Sequence, residues 1–179
     1  MTEIIKPLAE TGVLAILLML IGWVFVYKNS RALARQSEIN SMAAALEKTL
    51  QEIADENYKF WKDTDADDQS QLEKSRIFNA YIEYRCNIVE KKVSLLFDKA
   101  KDCLNPAVEC SPFPTKSVEL IAKIRDRSTM NSENVVAVKD RYARISSINH
   151  LTLKMFTEIN SFISLRFQPM DEWEFHSRY

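Results

Sequence analysis

Residues 11–31, TGVLAILLMLIGWVFVYKNSR, decide how the rest of this chain is read. Residues 12–27 carry no charge and no helix breaker other than glycine. Extended back to Leu8, the run is roughly twenty residues, or about 30 Å of α-helix, which matches the hydrocarbon core of a bilayer. Glu10 falls near one end, where a carboxylate reaches the headgroup layer. Trp23 and Tyr27 fall near the other, where aromatic rings favour the interface, followed by Lys28 and Arg31 as cationic anchors. Residues 8–27 are therefore expected to form a transmembrane helix, with 1–7 as a short non-cytoplasmic tail.

A cleaved signal peptide is the rival reading, because Ala32-Leu33-Ala34 has the small-x-small look of a cleavage site. Lys28 and Arg31 intervene before it, however, and the leading segment is not basic, since Lys6 is flanked by Glu3 and Glu10. The span is expected to be retained. Lys28, Arg31 and Arg35 follow it before any acid, so the positive-inside rule puts the N-terminus outside and the C-terminal part in the cytoplasm. The expected location is the cell membrane as a single-pass protein, the inner membrane if the source is bacterial. Gly12, Ala15, Met19 and Gly22 recur at heptad-like steps and offer a face on which membrane helices can approach closely.

Both glycines of the chain lie in this stretch, which leaves none from Lys28 to the C-terminus. At an average usage of about 7%, roughly ten or eleven would be expected there. Gly-rich phosphate cradles, dinucleotide fingerprints and nucleophile elbows are excluded, because their turns need positive φ or close backbone approach. Many tight hairpins are excluded on the same ground. An all-α protein with long helices needs few such turns.

No proline interrupts the chain between Pro7 and Pro106, so the membrane helix can continue through 28–62 as a juxtamembrane amphipathic helix. Ile39, Met42, Leu46, Leu50, Ile53, Phe60 and Trp61 form its apolar stripe. Such a stalk needs cover from another copy or from the helices that follow. Asp63, Asp65 and Asp67 imitate the start of a calcium loop, but Asp68 stands where the turn glycine belongs and Lys74 where the bidentate glutamate belongs. The run reads as a polar turn before a helix opened by Ser70-Gln71-Leu72-Glu73, a capping box.

Residues 69–167 are expected to be an antiparallel helical bundle. Its first helix runs to about Leu104, with Leu72, Phe78, Tyr81, Ile82, Ile88, Val89, Leu96 and Cys103 over a wide arc. A loop at 105–115 contains Pro106, Pro112 and Pro114. A helix over about 116–128 carries Val118, Ile121 and Ile124, and Asn131 or Ser132 caps the last one. There Val135, Val138, Tyr142, Ile145, Asn149, Thr152, Phe156, Ile159 and Ile163 follow steps of three and four. A second row, Ile148, Leu151, Met155, Phe162 and Leu165, widens that face. Asn149 at an a-like position is a candidate register residue or an internal hydrogen-bonding group. The tail 168–179 alternates acids and aromatics, and Trp173 and Phe175 are candidate anchors on the bundle or on a partner.

The supply of chemistry is thin. Two histidines, three cysteines and no C-x-x-C or H-x-x-x-H pair give no metal-ligand spacing, and no cofactor is implied. The odd cysteine count, Cys86, Cys103 and Cys110, fits packed thiols in a reducing compartment. From Lys28 onward 23 Lys and Arg balance 23 Asp and Glu, which argues against nucleic acid as a partner. Residues 47–73 hold nine acids and three bases, while 116–144 hold seven bases and four acids, a pattern of solvated helix faces that complement each other. Ser146 and His150 lie one turn apart, with neither an orienting carboxylate nor an oxyanion hole evident.

Arg144-Ile145-Ser146-Ser147-Ile148-Asn149-His150 resembles the R-x4–6-H motif of the HEPN ribonucleases, small all-helical proteins that pair two such motifs. Ile145 departs from the polar residue that commonly follows the arginine there. The resemblance implies His150 as general acid/base and Arg144 as phosphate holder.

The leading expectation is a non-enzymatic single-span protein, in contact with the lipid bilayer, whose cytoplasmic helices self-associate or bind a protein partner as an accessory or scaffold subunit. The alternatives are a membrane-tethered HEPN-like ribonuclease using Arg144 and His150, and a membrane-disrupting defence or toxin effector.

Overall fold

A computed structural model describes residues 12–62, 68–101, 112–134 and 140–164. Among these residues the chain is all-helical: α1 (Val13–Lys62), α2 (Asp68–Lys101), α3 (Pro112–Thr129) and α4 (Arg141–Ser164), with no strand. The chain divides into two compact units, Met1–Glu38 and Ile39–Tyr179.

The described part of the first unit is the N-terminal half of α1. Gly12 adopts a left-handed backbone (φ 69°) and its carbonyl accepts the Ile16 N–H at 3.2 Å. A side chain is strained at such a φ, so glycine suits the point where the helix begins. The helix therefore starts at Val13, and 8–11 lie outside the described residues. This is the one helix among them long and apolar enough to cross a membrane, and none of its apolar window is buried. A signal sequence near an N-terminus meets the same description.

The second unit is a helical bundle. Ile39, Ala43, Leu46, Leu50, Ile53 and Trp61 of α1 are buried, and all but Trp61 share one core with α2, α3 and α4. Contacts fix the chain directions. Phe60 stacks on Phe78 with ring centroids 3.9 Å apart, Glu52 pairs with Arg85 at 2.9 Å, and Lys92 donates to Thr49 Oγ1 at 2.7 Å. As numbers fall along α1 they rise along α2, so the two run oppositely. The same holds for α2 and α3, through Arg125 on Glu90 (2.6 Å) and Ser132 on Asn79 (2.9 Å). It holds for α3 and α4, through Phe113 on Phe162 (4.1 Å) and Lys116 with Glu158 (3.7 Å). Asn160 donating to Glu47 at 3.1 Å closes α4 onto α1.

The stripe of the 28–62 segment takes its cover from the helices that follow, one of the two sources expected for it: Ile39, Ala43, Leu46, Leu50 and Ile53 share one core with α2, α3 and α4. Other expectations are corrected. The 105–115 loop ends earlier than expected, since Pro112 and Pro114 lie in the first turn of α3, where a missing N–H breaks no helical bond. α2 begins at Asp68, so Ser70 is already helical, and Asn131 ends α3 in a left-handed conformation (φ 56°) instead of opening α4. The cap of α4 is Asp140, whose Oδ1 accepts the Ala143 N–H at 2.8 Å. Finally, Leu72, Val118, Tyr142 and Asn149 are exposed; Gln71 and Ser117 are buried on α2 and α3, while Ile148 and Thr152 are buried on α4 as expected.

Truncating a buried position should separate core from surface. Leu50→Ala is expected to lower the unfolding free energy by about 2–5 kcal/mol, whereas Leu153→Ala on the exposed face of α4 should stay within about 0.5 kcal/mol. Urea unfolding of the two variants measures the difference.

Candidate functional site

The Arg144–His150 pair sits at the start of α4. At about 100° per residue, positions six apart point roughly 120° away from each other, and the two side chains have different surroundings. The Arg144 guanidinium lies over the Trp61 ring, 4.3 Å from its centroid, and donates to the Met130 carbonyl. Burial holds it below the usual arginine range, and Arg127 adds to this. His150 is exposed. Within one chain, then, the motif's arginine is taken up in joining α1 and α4 at one end of the bundle, and its histidine faces solvent.

Trp61 is fully buried and packs with Ile148, with Phe60 and Ile145 at its edge. Asn57, one turn earlier, is buried as well. Its Nδ2 donates to the Ile53 carbonyl at 2.8 Å, and no described residue donates to its Oδ1. Sequence periodicity did not find Asn57, because a polar residue on an apolar stripe looks like an interruption. The Trp61–Arg144 contact was equally hidden, since nothing local links positions so far apart.

On the membrane-type half of α1, Ala15, Met19 and Gly22 are exposed, and a methyl group added at Gly22 would meet nothing within 4 Å. Gly12 stands before the first helical residue, so it lies at the end of that row and not on the helix face. Trp23 and Tyr27 stack with ring centroids 6.0 Å apart, and Lys28 and Arg31 follow on the same helix, both exposed. Trp173, Phe175 and the whole tail lie outside the described residues, as do Asp63, Asp65, Asp67, Cys103 and Cys110. Among the described residues no group of three or more His, Cys, Asp or Glu side chains could hold a metal ion.

An open groove of about 450 Å³ runs between α1 and α4, lined by Glu47, Lys48, Glu52, Asp55 and Phe156 among others. Its acids are already engaged in part, Glu52 with Arg85 and Glu47 with Asn160. Cys86 is buried between α2 and α3. Burial pushes its thiol from 9.0 up to about 11, against the opposing pull of the Arg125 guanidinium. A thiol so held is not a nucleophile at neutral pH.

Two measurements test these roles. Arg144→Gln should cost about 1–2 kcal/mol of stability through the lost ring contact and carbonyl bond, while His150→Ala stays within about 0.5 kcal/mol. For Cys86 the unfolded chain gives up its proton near pH 9.0, whereas the folded chain keeps it to about 11. The stability this contributes is complete below pH 9.0 and is lost between 9.0 and about 11. Urea midpoints should therefore fall more steeply with pH across that window in the parent chain than in Cys86→Ala.

Comparison with protein-family models, with curated proteins and with solved structures finds no match to this chain.

Proposed function

We propose that this chain is a single-span membrane protein whose helical bundle serves as a cytoplasmic interaction module, as a scaffold or accessory subunit, without chemistry of its own. The observation that carries the reading is the exposure of the apolar half of α1. Each residue from Val13 to Arg35 is exposed, including Trp23, Phe25 and eleven large aliphatic side chains. An apolar surface of that extent far exceeds what soluble monomers leave in water, and a bilayer is the solvent that suits it.

Retention of the span is supported by the continuity of α1. Cleavage after Ala34 would cut inside a regular helix. The exposed cluster Lys28, Arg31 and Arg35 supports a cytoplasmic bundle, opposed only by Lys6 and the terminal amine on the other side. The balanced charge of the remainder suits a protein partner or a second copy better than nucleic acid.

Membranes from cells making a C-terminally tagged chain test this directly. The chain should stay in the pellet after alkaline carbonate extraction, and the tag should resist protease added to intact cells. Release into the carbonate supernatant, or a mature N-terminus near residue 35, would remove the anchor from the reading. A tag digested from outside would reverse its orientation.

A further inference from the structure

Residues 11–37 carry three charges, all of them positive: Lys28, Arg31 and Arg35. Steps of three and four put them on one side of α1, within about 60° of one another at about 100° per residue. Every other residue from 28 to 37 is uncharged, so the opposite side of this stretch is neutral. All three bases are exposed, and among the described residues none of them has an ion-pair or hydrogen-bond partner. Cations of the bundle differ, since Arg85, Lys116, Lys123 and Arg125 each meet a carboxylate of their own chain.

The position along the helix says where an anion would come from. Tyr27 stacks on Trp23 with ring centroids 6.0 Å apart, and lies about 40° round the helix from Arg31. Rings of this kind settle at the edge of the hydrocarbon, so the cationic face begins where the lipid phosphates begin. Side chains on an α-helix lean toward its N-terminus, which here is the apolar run. Tyr27 to Arg35 is about 12 Å of helix, and that backward lean brings a long arginine into a headgroup layer of roughly 5–8 Å.

We propose that this face is a binding site for a phospholipid of net negative charge. A zwitterionic headgroup carries an ammonium beside its phosphate and leaves the three bases without a surplus anion. An anionic headgroup supplies that surplus, and a guanidinium can grip two phosphate oxygens at once. Convergence onto one side makes this a site. Three bases spread evenly round a helix would each meet a different lipid, whereas three within about 60° meet the same lipid or its neighbour. The lean toward the apolar run favours a lipid phosphate over a free one in solution. The inference rests on the reading of α1 as a span, and names the lipid which that span gathers.

The test uses the full chain with Trp173→Phe in phosphatidylcholine bilayers, where Trp23 reports contact with lipid and buried Trp61 gives a constant background. Phosphatidylcholine or phosphatidylglycerol with brominated acyl chains is titrated in, and quenching of Trp23 gives the relative affinity of the two lipids for the helix. Phosphatidylglycerol should be preferred by at least about five-fold, the contribution of one base at an anionic surface. Lys28→Gln with Arg31→Gln and Arg35→Gln should bring the ratio to about one. A rearranged chain with Arg31→Ala, Leu33→Arg, Ala34→Arg and Arg35→Leu keeps composition and mean depth but sets the bases at least about 100° apart. Its preference should fall below about two-fold. A rearranged chain that matches the parent would overturn the site. Sodium phosphate should leave the ratio as it is in sodium chloride of equal ionic strength; loss of the preference in phosphate would assign the face to the free anion and overturn the lipid. Equal quenching by both lipids in the parent would overturn the site and leave the span standing. Trp23 quenched by neither would overturn the span and the site together.

Discussion

The bundle depends on covering the stripe that α1 presents from Ile39 to Trp61. Leu46, Leu50, Ile53 and Trp61 are almost wholly removed from solvent, and each such side chain contributes on the order of 1.5–3 kcal/mol when buried. α2, α3 and α4 each contribute to the core that encloses it. The ion pairs around the rim, Glu52 with Arg85 and Glu90 with Arg125, are partly exposed and add direction more than stability. They set which face of α2 meets α1 and which meets α3.

A bundle without glycine still needs places where helices can approach. Here Thr49, Ser117, Ser128 and Thr152 occupy inward positions. Three of them return their hydroxyl to their own helix: Thr49 to the Ala45 carbonyl at 2.9 Å, Ser128 to the Ile124 carbonyl at 2.7 Å and Thr152 to the Ile148 carbonyl at 3.0 Å. A small side chain that satisfies itself against the i−4 carbonyl can be buried without a partner on the next helix. Ala43 and Ala100 serve the same geometry with no polar atom at all.

That arrangement explains what could be read in the sequence. The all-helical class, the long apolar segment and most large core residues were legible, because absence of glycine and the spacing of Leu46, Leu50, Ile53, Ile82, Val89, Leu96, Ile121 and Ile159 are local signals. Thr152 lay on the expected face of α4, but Thr49, Ser117 and Ser128 were not found, since a hydroxyl side chain on the core face is indistinguishable by type from one in solvent. Val118 was expected inside, and the structure exposes it and buries its neighbour Ser117. Tyr142 and Asn149 followed the three–four rhythm of α4, but the buried face is centred on the neighbouring row of Ile148, Met155 and Phe162. Where two adjacent rows are both apolar, periodicity alone leaves the choice to the partners. Prolines misled at the start of α3 because they punctuate loops and first turns alike. The Arg144 motif shows the same gap between pattern and place: its spacing was visible, but its engagement with Trp61 is a tertiary fact.

The closure of α4 onto α1 carries a consequence for how the chain is made. Met155, Ile159 and Phe162 belong to the same core as Leu50 and Ile53, yet leave the ribosome about a hundred residues later. At roughly 5–20 residues per second, the early stripe waits some 5–20 seconds for its last covering helix. During that interval the nascent chain offers a greasy, half-dressed surface to whatever is nearby. A chaperone or a neighbouring translation product reaching it first has several seconds' advantage over the chain's own C-terminal helix.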